Sequence, residues 1–311
     1  MQEAASPRKT SAVRSHAAPA LTALVISNVA LAFGPLFVRL SDVGPVAGGF
    51  WRIALAAPLL LGLSTVMGER PVRAARGLWG LLAVAGLAFA ADLASWHIGI
   101  GRTTLANSTL FGNCATLIFP IYGFVVARTW PTRMQALALG LAVVGAALLM
   151  GRSASLSPRN LTGDLFCLLA GVLYALYFIL MARARERLAP LPALALSSLA
   201  SIPPLFLLAL GLGESIWPGN WWPLLAMAVV SQLIGQGCLI YALGHLTPLV
   251  VGIALLIQPA VAAALGWVVF DERLAAADAV GAVLVAFALV LVRGGSKPER
   301  VASGVEAPKS T

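Results

Sequence analysis

The chain has 311 residues, of which 59% are hydrophobic and 11% charged. An ordinary soluble domain carries roughly 25% charged residues, so this chain lacks the polar surface to live in water, and its solvent is lipid. The net charge of +9 does not point to nucleic acid, because the arginines sit in short breaks between apolar runs, the pattern of a membrane topology signal.

In chain order, residues 1–18 are small, polar and basic, with Arg8, Lys9 and Arg14, and predict a disordered cytoplasmic leader. The apolar run after Pro19 is too long for a signal-peptide core and predicts a first spanning helix at 19–40. Further runs predict helices at 45–66, 78–98, 105–126, 134–151, 164–182, 191–212, 221–243, 248–269 and 276–292. The reading is an all-α membrane protein of ten transmembrane helices. A first five-helix repeat spans 19–151, a hinge loop 152–163, a second five-helix repeat 164–293 and a cytoplasmic tail 294–311. Cys114, Cys167 and Cys238 all fall inside apolar runs without CxxC spacing, and indicate neither a disulfide framework nor a zinc site.

The repeat is visible as an internal echo. Residues 104–152 open on Thr104, run apolar to Pro120, pass a break at Arg133 and run from Gly140 to Arg152. Residues 247–293 open on Thr247, run to Pro259, pass Asp271-Glu272-Arg273 and run from Gly281 to Arg293. With five helices in each half the second copy enters from the opposite side, so the two repeats are inverted, a building plan of secondary transporters.

Orientation follows from the cations. With the amino terminus inside, the inner side collects fifteen Lys and Arg and the outer side only Arg39, Arg102, Arg152, Arg159 and Arg273, which places both termini in the cytoplasm. Trp79 and Trp130 then mark inner edges, and Trp217, Trp221 and Trp222 an outer edge.

Thr103-Thr104-Leu105-Ala106-Asn107 leading to Pro120, the partner stretch Ala242-Leu243 through Pro259, the acidic break Asp271-Glu272-Arg273, and Phe50-Trp51-Arg52 together resemble the EamA-type transporters of the drug/metabolite transporter superfamily over residues 19–293. The resemblance implies a ten-helix basket that exports small metabolites through a cavity between its halves, and is nearest to exporters of aromatic or other hydrophobic amino acids across the inner (plasma) membrane of a bacterium. It departs from the family where Thr129-Trp130-Pro131-Thr132 replaces an acidic residue after the fourth helix, and where the second half lacks a counterpart of Arg52.

Polar groups at membrane depth carry the site prediction, since each is costly without a partner or water. Arg52 lies seven residues past Pro45, about 10 Å down its helix, and Asp92 six residues before Ile98, about 9 Å down. Either they form a structural ion pair, or both face one outward-opening vestibule. His97, beside Trp96, is either an interfacial histidine bonded to backbone or water, or a cavity-lining residue that titrates near neutrality.

Asn28, Asn107, Asn113, Gln232, Gln236 and Gln258 are amides in apolar runs. Singly each reads as helix-to-helix glue; together they read as a polar cavity suited to a zwitterion or neutral solute. Gln232 and Gln236 share a face by i, i+4 spacing. Tyr174 and Tyr177, at i, i+3, together with Trp51 and Trp96, complete the candidate substrate-binding set.

Pro35, Pro120 and Pro259 predict kinks, and the echoed Pro120 and Pro259 are candidate hinges or rigid bends. Ala142 with Ala146, and Ala282 with Ala286, give small faces that fit either packing of the halves or a dimer seam, so a monomer or weak homodimer is expected.

The function predicted is secondary transport by alternating access, with a small-molecule solute and the lipid bilayer as partners and neither nucleic acid, cofactor nor metal. No P-loop, HExxH, paired membrane aspartates or matched Ser/Cys–His dyad is present in the sequence, so no catalytic residue is assigned; an intramembrane enzyme and a multidrug-type exporter are the alternatives. The first and sixth helices carry no buried carboxylate in this reading, which leaves proton coupling and uncoupled flow both open.

Overall fold

The fold is known from a computed structural model that describes residues 8–115, 157–246 and 257–272, with isolated positions between and beyond them. The predicted fifth and tenth helices, the later part of the fourth, Pro120, the paired alanines and the tail at 294–311 lie outside the described residues.

Every described element is helical: α1 (Arg8–Ala32), α2 (Gly34–Leu40), α3 (Pro45–Val66), α4 (Pro71–Ala74), α5 (Trp79–Ile100), α6 (Leu105–Gly112), α7 (Pro158–Arg185), α8 (Pro190–Gly211), α9 (Trp222–Ala226), a π-helical segment (Met227–Gln236), α10 (Gly237–Leu243) and α11 (Ile257–Phe270). Six stretches among them are long and apolar enough to cross a membrane: Ala18–Leu40, Pro45–Val66, Trp79–Ile100, Pro158–Arg185, Pro190–Gly211 and Trp222–Leu243. The helical backbone of α1 reaches back to Arg8, into the stretch read as a leader.

Proline sets many of the starts. Pro45, Pro71, Pro158 and Pro190 each occupy the first residue of their helix, where the missing N–H would have no partner in any case. Pro35 opens α2 after a turn at Phe33, which gives the kink expected there. Pro259 lies three residues into α11, and the turn at Leu255, four residues before it, falls at the carbonyl that a proline leaves without its helical partner.

The second helix of each half has the same construction. α3 and α8 both run 22 residues from a first-position proline and both end on a left-handed glycine followed by a glutamate. Gly68 has φ 81 and Gly213 φ 66, an angle that glycine adopts without steric cost. The amides of Glu69 and Glu214 then reach back to the carbonyls of Ser64 and Ala209 at 3.1 Å, the Schellman closure of a helix end.

Packing crosses between the halves. α5 lies on α7, α3 on α8, α1 on the π-helical segment and α10, and α6 on α11. First helix meets third, second meets second, third meets first and fourth meets fourth, the pairing that a twofold relation between two like units requires.

Hydrogen bonds at one end of the bundle fix the chain directions. Gly44 donates to the Ser215 carbonyl at 3.0 Å and Ala47 to the Glu214 carboxylate at 2.8 Å, so α3 begins where α8 ends. Arg159, at the start of α7, donates to the Gly101 carbonyl at the end of α5 at 3.0 Å. Arg39, ending α2, pairs with Glu272 just past α11 at 2.5 Å, and the other oxygen of Glu272 accepts from Leu105, which opens α6, at 2.9 Å. Asp271, at φ 51, takes the left-handed conformation that Asp tolerates better than most residues, and this folds Glu272 back so that its N–H reaches the Gly266 carbonyl.

At this Arg39 end, α2 and α5 terminate while α3 and α6 begin. In the second half α7 and α9 begin there, while α8 and α11 terminate. Equivalent helices of the two halves therefore run in opposite senses.

Candidate functional site

About two helical turns below the Arg39 end, the halves enclose a cavity with a volume of about 30 Å³. Its polar wall is Arg52 from α3, Asp92 from α5, Thr109 from α6, Asn113 just past α6 and Gln258 from α11. Its apolar wall is Leu31, Phe89, Leu93 and Trp96 from the first half and Tyr174 from α7. Residues from both halves thus meet in one small polar–aromatic chamber.

The two charges are deeply buried, Arg52 at 2% and Asp92 at 6% exposure. They are not an ion pair: Arg39–Glu272 is the salt bridge found among the described residues. The direct-pair alternative is therefore corrected, and what the structure brings together is two unlike charges on one cavity wall. Arg52 Nε donates to Gln232 Oε1 at 3.0 Å, and Gln232 Nε2 donates to Ser198 Oγ at 3.3 Å, so the guanidinium is held from behind by the second half. Counted from the helix starts, the α8 residue equivalent to Arg52 is Ser197, buried and neutral. Both charges of the chamber come from the first half.

The amides form a directed chain across three helices. Asn113 Nδ2 donates to Gln258 Oε1 at 3.2 Å, Gln258 Nε2 to Asn28 Oδ1 at 2.9 Å, and Asn28 Nδ2 to the Leu24 carbonyl at 2.7 Å. Asn113 can join because α6 ends at Gly112 and Asn113–Cys114 form a turn before the chain is helical again at Ala115. In the second half Leu255 also lies in a turn, just ahead of α11 and Gln258. The fourth helix of each half is thus interrupted beside the cavity. Broken helices of this kind occur where backbone lines a binding site or is buried in protein.

Other predicted residues are placed elsewhere. Gln236 accepts from the Tyr174 hydroxyl at 3.0 Å and, with Gln232, lies in the π-helical segment instead of an α-helix. Isolated π-turns concentrate at functional sites, and the wider i→i+5 turn gives the two glutamines separate partners on one buried side. Tyr177 is fully buried and stacks on Phe89 at 4.4 Å, behind the chamber wall. His97 is fully buried, donates from Nδ1 to the Pro45 carbonyl at 2.9 Å and does not line the cavity. Trp51 donates to the Ile216 carbonyl at 2.7 Å and packs edge-on to Trp221 at the Arg39 end.

Asp164 is a correction. It opens the predicted sixth helix, read as lacking a buried carboxylate, yet it is fully buried and accepts from Thr103 Oγ1 at 2.5 Å and from Asn107 Nδ2. Phe89 and Thr109 are cavity residues that reading the sequence missed, because an apolar helix and a lone Thr carry no polar signal. Among the described residues no cluster of three His, Cys, Asp or Glu could hold a metal ion.

Comparison with known proteins gives three findings. A family model described as the EamA-like transporter family matches residues 18–151 and again 161–294. An uncharacterized transporter of Archaeoglobus fulgidus is 25% identical over 169 residues, 54% of this chain and 57% of that protein, so the match spans little more than half of the relative's length. A solved structure described only as a crystal structure of a protein superposes with a TM-score of 0.66 at 14% identity, covering 89% of this chain and 97% of the other; at that identity the likeness shows a shared fold.

Proposed function

The chain belongs to the EamA-like transporter family, a multi-pass membrane transporter family, and from that premise we propose that it is a secondary transporter exporting small metabolites across a bacterial inner membrane by alternating access. Amino acids with aromatic or other hydrophobic side chains are its foremost solutes. The observation that carries this reading is the chamber itself: charges, amides and aromatic rings drawn from both halves meet at membrane depth, where polar groups are costly and mark solute pathways.

The inverted repeat is supported by the opposite senses of equivalent helices and by the crossed pairing of the halves. Two related conformations of such a pair expose a central site to one side and then the other. A cavity of about 30 Å³ has room for about two water molecules and none for an amino acid. Solute entry therefore requires the halves to part, and the interrupted fourth helices are where they can yield.

Charge at the two ends supports cytoplasmic termini. The end where α3 and α7 terminate carries Arg70, Arg73, Arg76, Arg183, Arg185 and Arg187 against Glu69 and Glu186. The Arg39 end offsets Arg39, Arg102 and Arg159 with Asp42, Asp164, Glu214, Asp271 and Glu272. The positive-inside rule puts the arginine-rich end in the cytoplasm.

Proteoliposomes containing only this protein and loaded with radiolabelled phenylalanine or leucine test the reading. Saturable exchange that an excess of unlabelled amino acid blocks is the expected result. If neither amino acid crosses faster than through protein-free liposomes while a cationic dye does, a multidrug-type exporter replaces it.

A further inference from the structure

We propose that Arg52 and Asp92 are opposite charged poles of the solute site, which selects a solute by both of its charges at once: Arg52 receives a carboxylate, Asp92 an ammonium group, and Phe89, Leu93 and Trp96 take the apolar side chain. The inference rests on the transporter reading and deepens it by assigning the atoms that set specificity.

The first support is position. In the structure α3 begins and α5 ends at the Arg39 end, so Arg52, seven residues in, and Asp92, eight residues from the end, sit about 10 and 12 Å below it. They are level with each other, and both line the same chamber.

The second support is what they lack. A guanidinium has five N–H donors, and Arg52 uses only Nε, on Gln232. Its four terminal N–H groups have no acceptor among the described residues, and the Asp92 carboxylate accepts no hydrogen bond among them. Unlike charges taken out of water ordinarily close on each other, because solitary burial is expensive. Here Gln232 holds the guanidinium back, and each pole keeps its bonding capacity for what enters the cavity between them.

The third support is shape. The planar fork of arginine presents two parallel N–H groups that match a carboxylate. The aromatic and leucine wall beside it suits an apolar substituent. A solute with one charge would leave the other pole buried and unpaired, a mismatch that costs affinity steeply.

Binding of radiolabelled L-phenylalanine to the full chain in nanodiscs, competed by phenethylamine (ammonium only) and 3-phenylpropionate (carboxylate only), tests the assignment. Wild type should bind the amino acid at least about 30-fold more tightly than either analogue. Asp92→Asn should lower phenylalanine affinity to that of 3-phenylpropionate, and Arg52→Gln to that of phenethylamine. Gln232→Ala, which frees the fork without removing it, should weaken phenylalanine and 3-phenylpropionate together and leave phenethylamine unchanged, the mark of a positioning residue. Arg52→Lys keeps the charge and loses the fork, and guards against a misfolded glutamine variant: a well-folded lysine protein with about 10-fold weaker phenylalanine binding supports the proposal.

Equal wild-type affinity for phenylalanine and either analogue would overturn it, as would no phenylalanine binding at all or unchanged ratios in the Asp92 and Arg52 variants. Flux of a solute that ignores both charges would sink the two-pole assignment and leave the transporter reading standing. Charge-dependent binding without flux would do the reverse.

Discussion

The molecule holds arginine and an acid together in two places, and treats them in opposite ways. At the end of the bundle Arg39 engages all three guanidinium nitrogens, three of its five N–H donors: Nη1 on Glu272, Nη2 on the Thr103 carbonyl, Nε on the Ile100 carbonyl, with its face over the Phe270 ring at 5.0 Å. Glu272 spends its second oxygen on Leu105. In the chamber Arg52 is far more buried than Arg39, at 2% against 18% for the Arg39 side chain, yet uses one donor in five. Burial raises the cost of an unpaired charge, so a purely structural design would pair the deeper arginine more completely. The reverse arrangement separates a cross-brace from a site: the outer pair fixes where α2, α5, α6 and α11 meet, and the inner pair stays open at some expense in stability.

The largest effect that can break this comparison lies at the inner pair. Arg52→Ala and Asp92→Ala should each lower amino-acid flux by at least about 100-fold, within the range seen when one member of a buried charge pair is truncated. The melting temperature of the same preparation should fall by less than in Arg39→Ala, since Arg52 makes one hydrogen bond where Arg39 makes three. A large drop in melting temperature for Arg52→Ala would make it a brace like Arg39.

The outer pair should show the converse pattern. Arg39→Ala deletes several charge-assisted hydrogen bonds, each contributing about 1.5–3 kcal/mol where geometry is good, and these two side chains are close to one-fifth exposed, so about 2–3 kcal/mol in all is expected after screening. Thermal unfolding in detergent should show a drop of several degrees. Glu272→Gln keeps an acceptor for Leu105 and should cost about half as much. In Arg39→Glu/Glu272→Arg the pair is reversed, and a double-mutant cycle should return a coupling of about 1 kcal/mol or more; coupling near zero would mean that the two residues act independently.

Much of this contrast could be read from the sequence, for a geometric reason. α3 and α5 are antiparallel neighbours that start and stop at the same level, so counting residues from Pro45 and back from Ile98 put Arg52 and Asp92 at one depth. The apolar runs at 45–66 and 191–212 gave their helices to within a residue, because bilayer thickness sets the length and a proline opens each. Other features depended on contacts that no local pattern records. The break after Gly112 is joined by an Asn113–Gln258 bond across 145 residues. The π-helical segment differs from an α-helix only in which carbonyl each N–H selects. Asp164 opens its predicted helix, where no burial is expected, and is covered by the corner at Thr103 and Asn107. Trp51 and His97 lie on helices that are apolar on nearly every side, so no periodicity pointed their rings away from the chamber.

The amide chain sharpens the comparison through the smallest effects. Its members are buried like Arg52 but satisfied like Arg39, and satisfaction is what should decide their behaviour. Gln258→Ala removes the donor to Asn28 Oδ1 and the acceptor of Asn113 Nδ2, whereas Asn113→Ala leaves only Gln258 Oε1 without its donor. Interhelical hydrogen bonds in membranes average about 0.6 kcal/mol, so Gln258→Ala should cost roughly twice Asn113→Ala, on the order of 1 kcal/mol against half that, as shifts in melting temperature. Neither should change the preference for phenylalanine over phenethylamine. A change in that preference with Asn113→Ala, at unchanged stability, would place the interrupted fourth helix among the groups that read the solute and move the boundary between brace and site one helix inward.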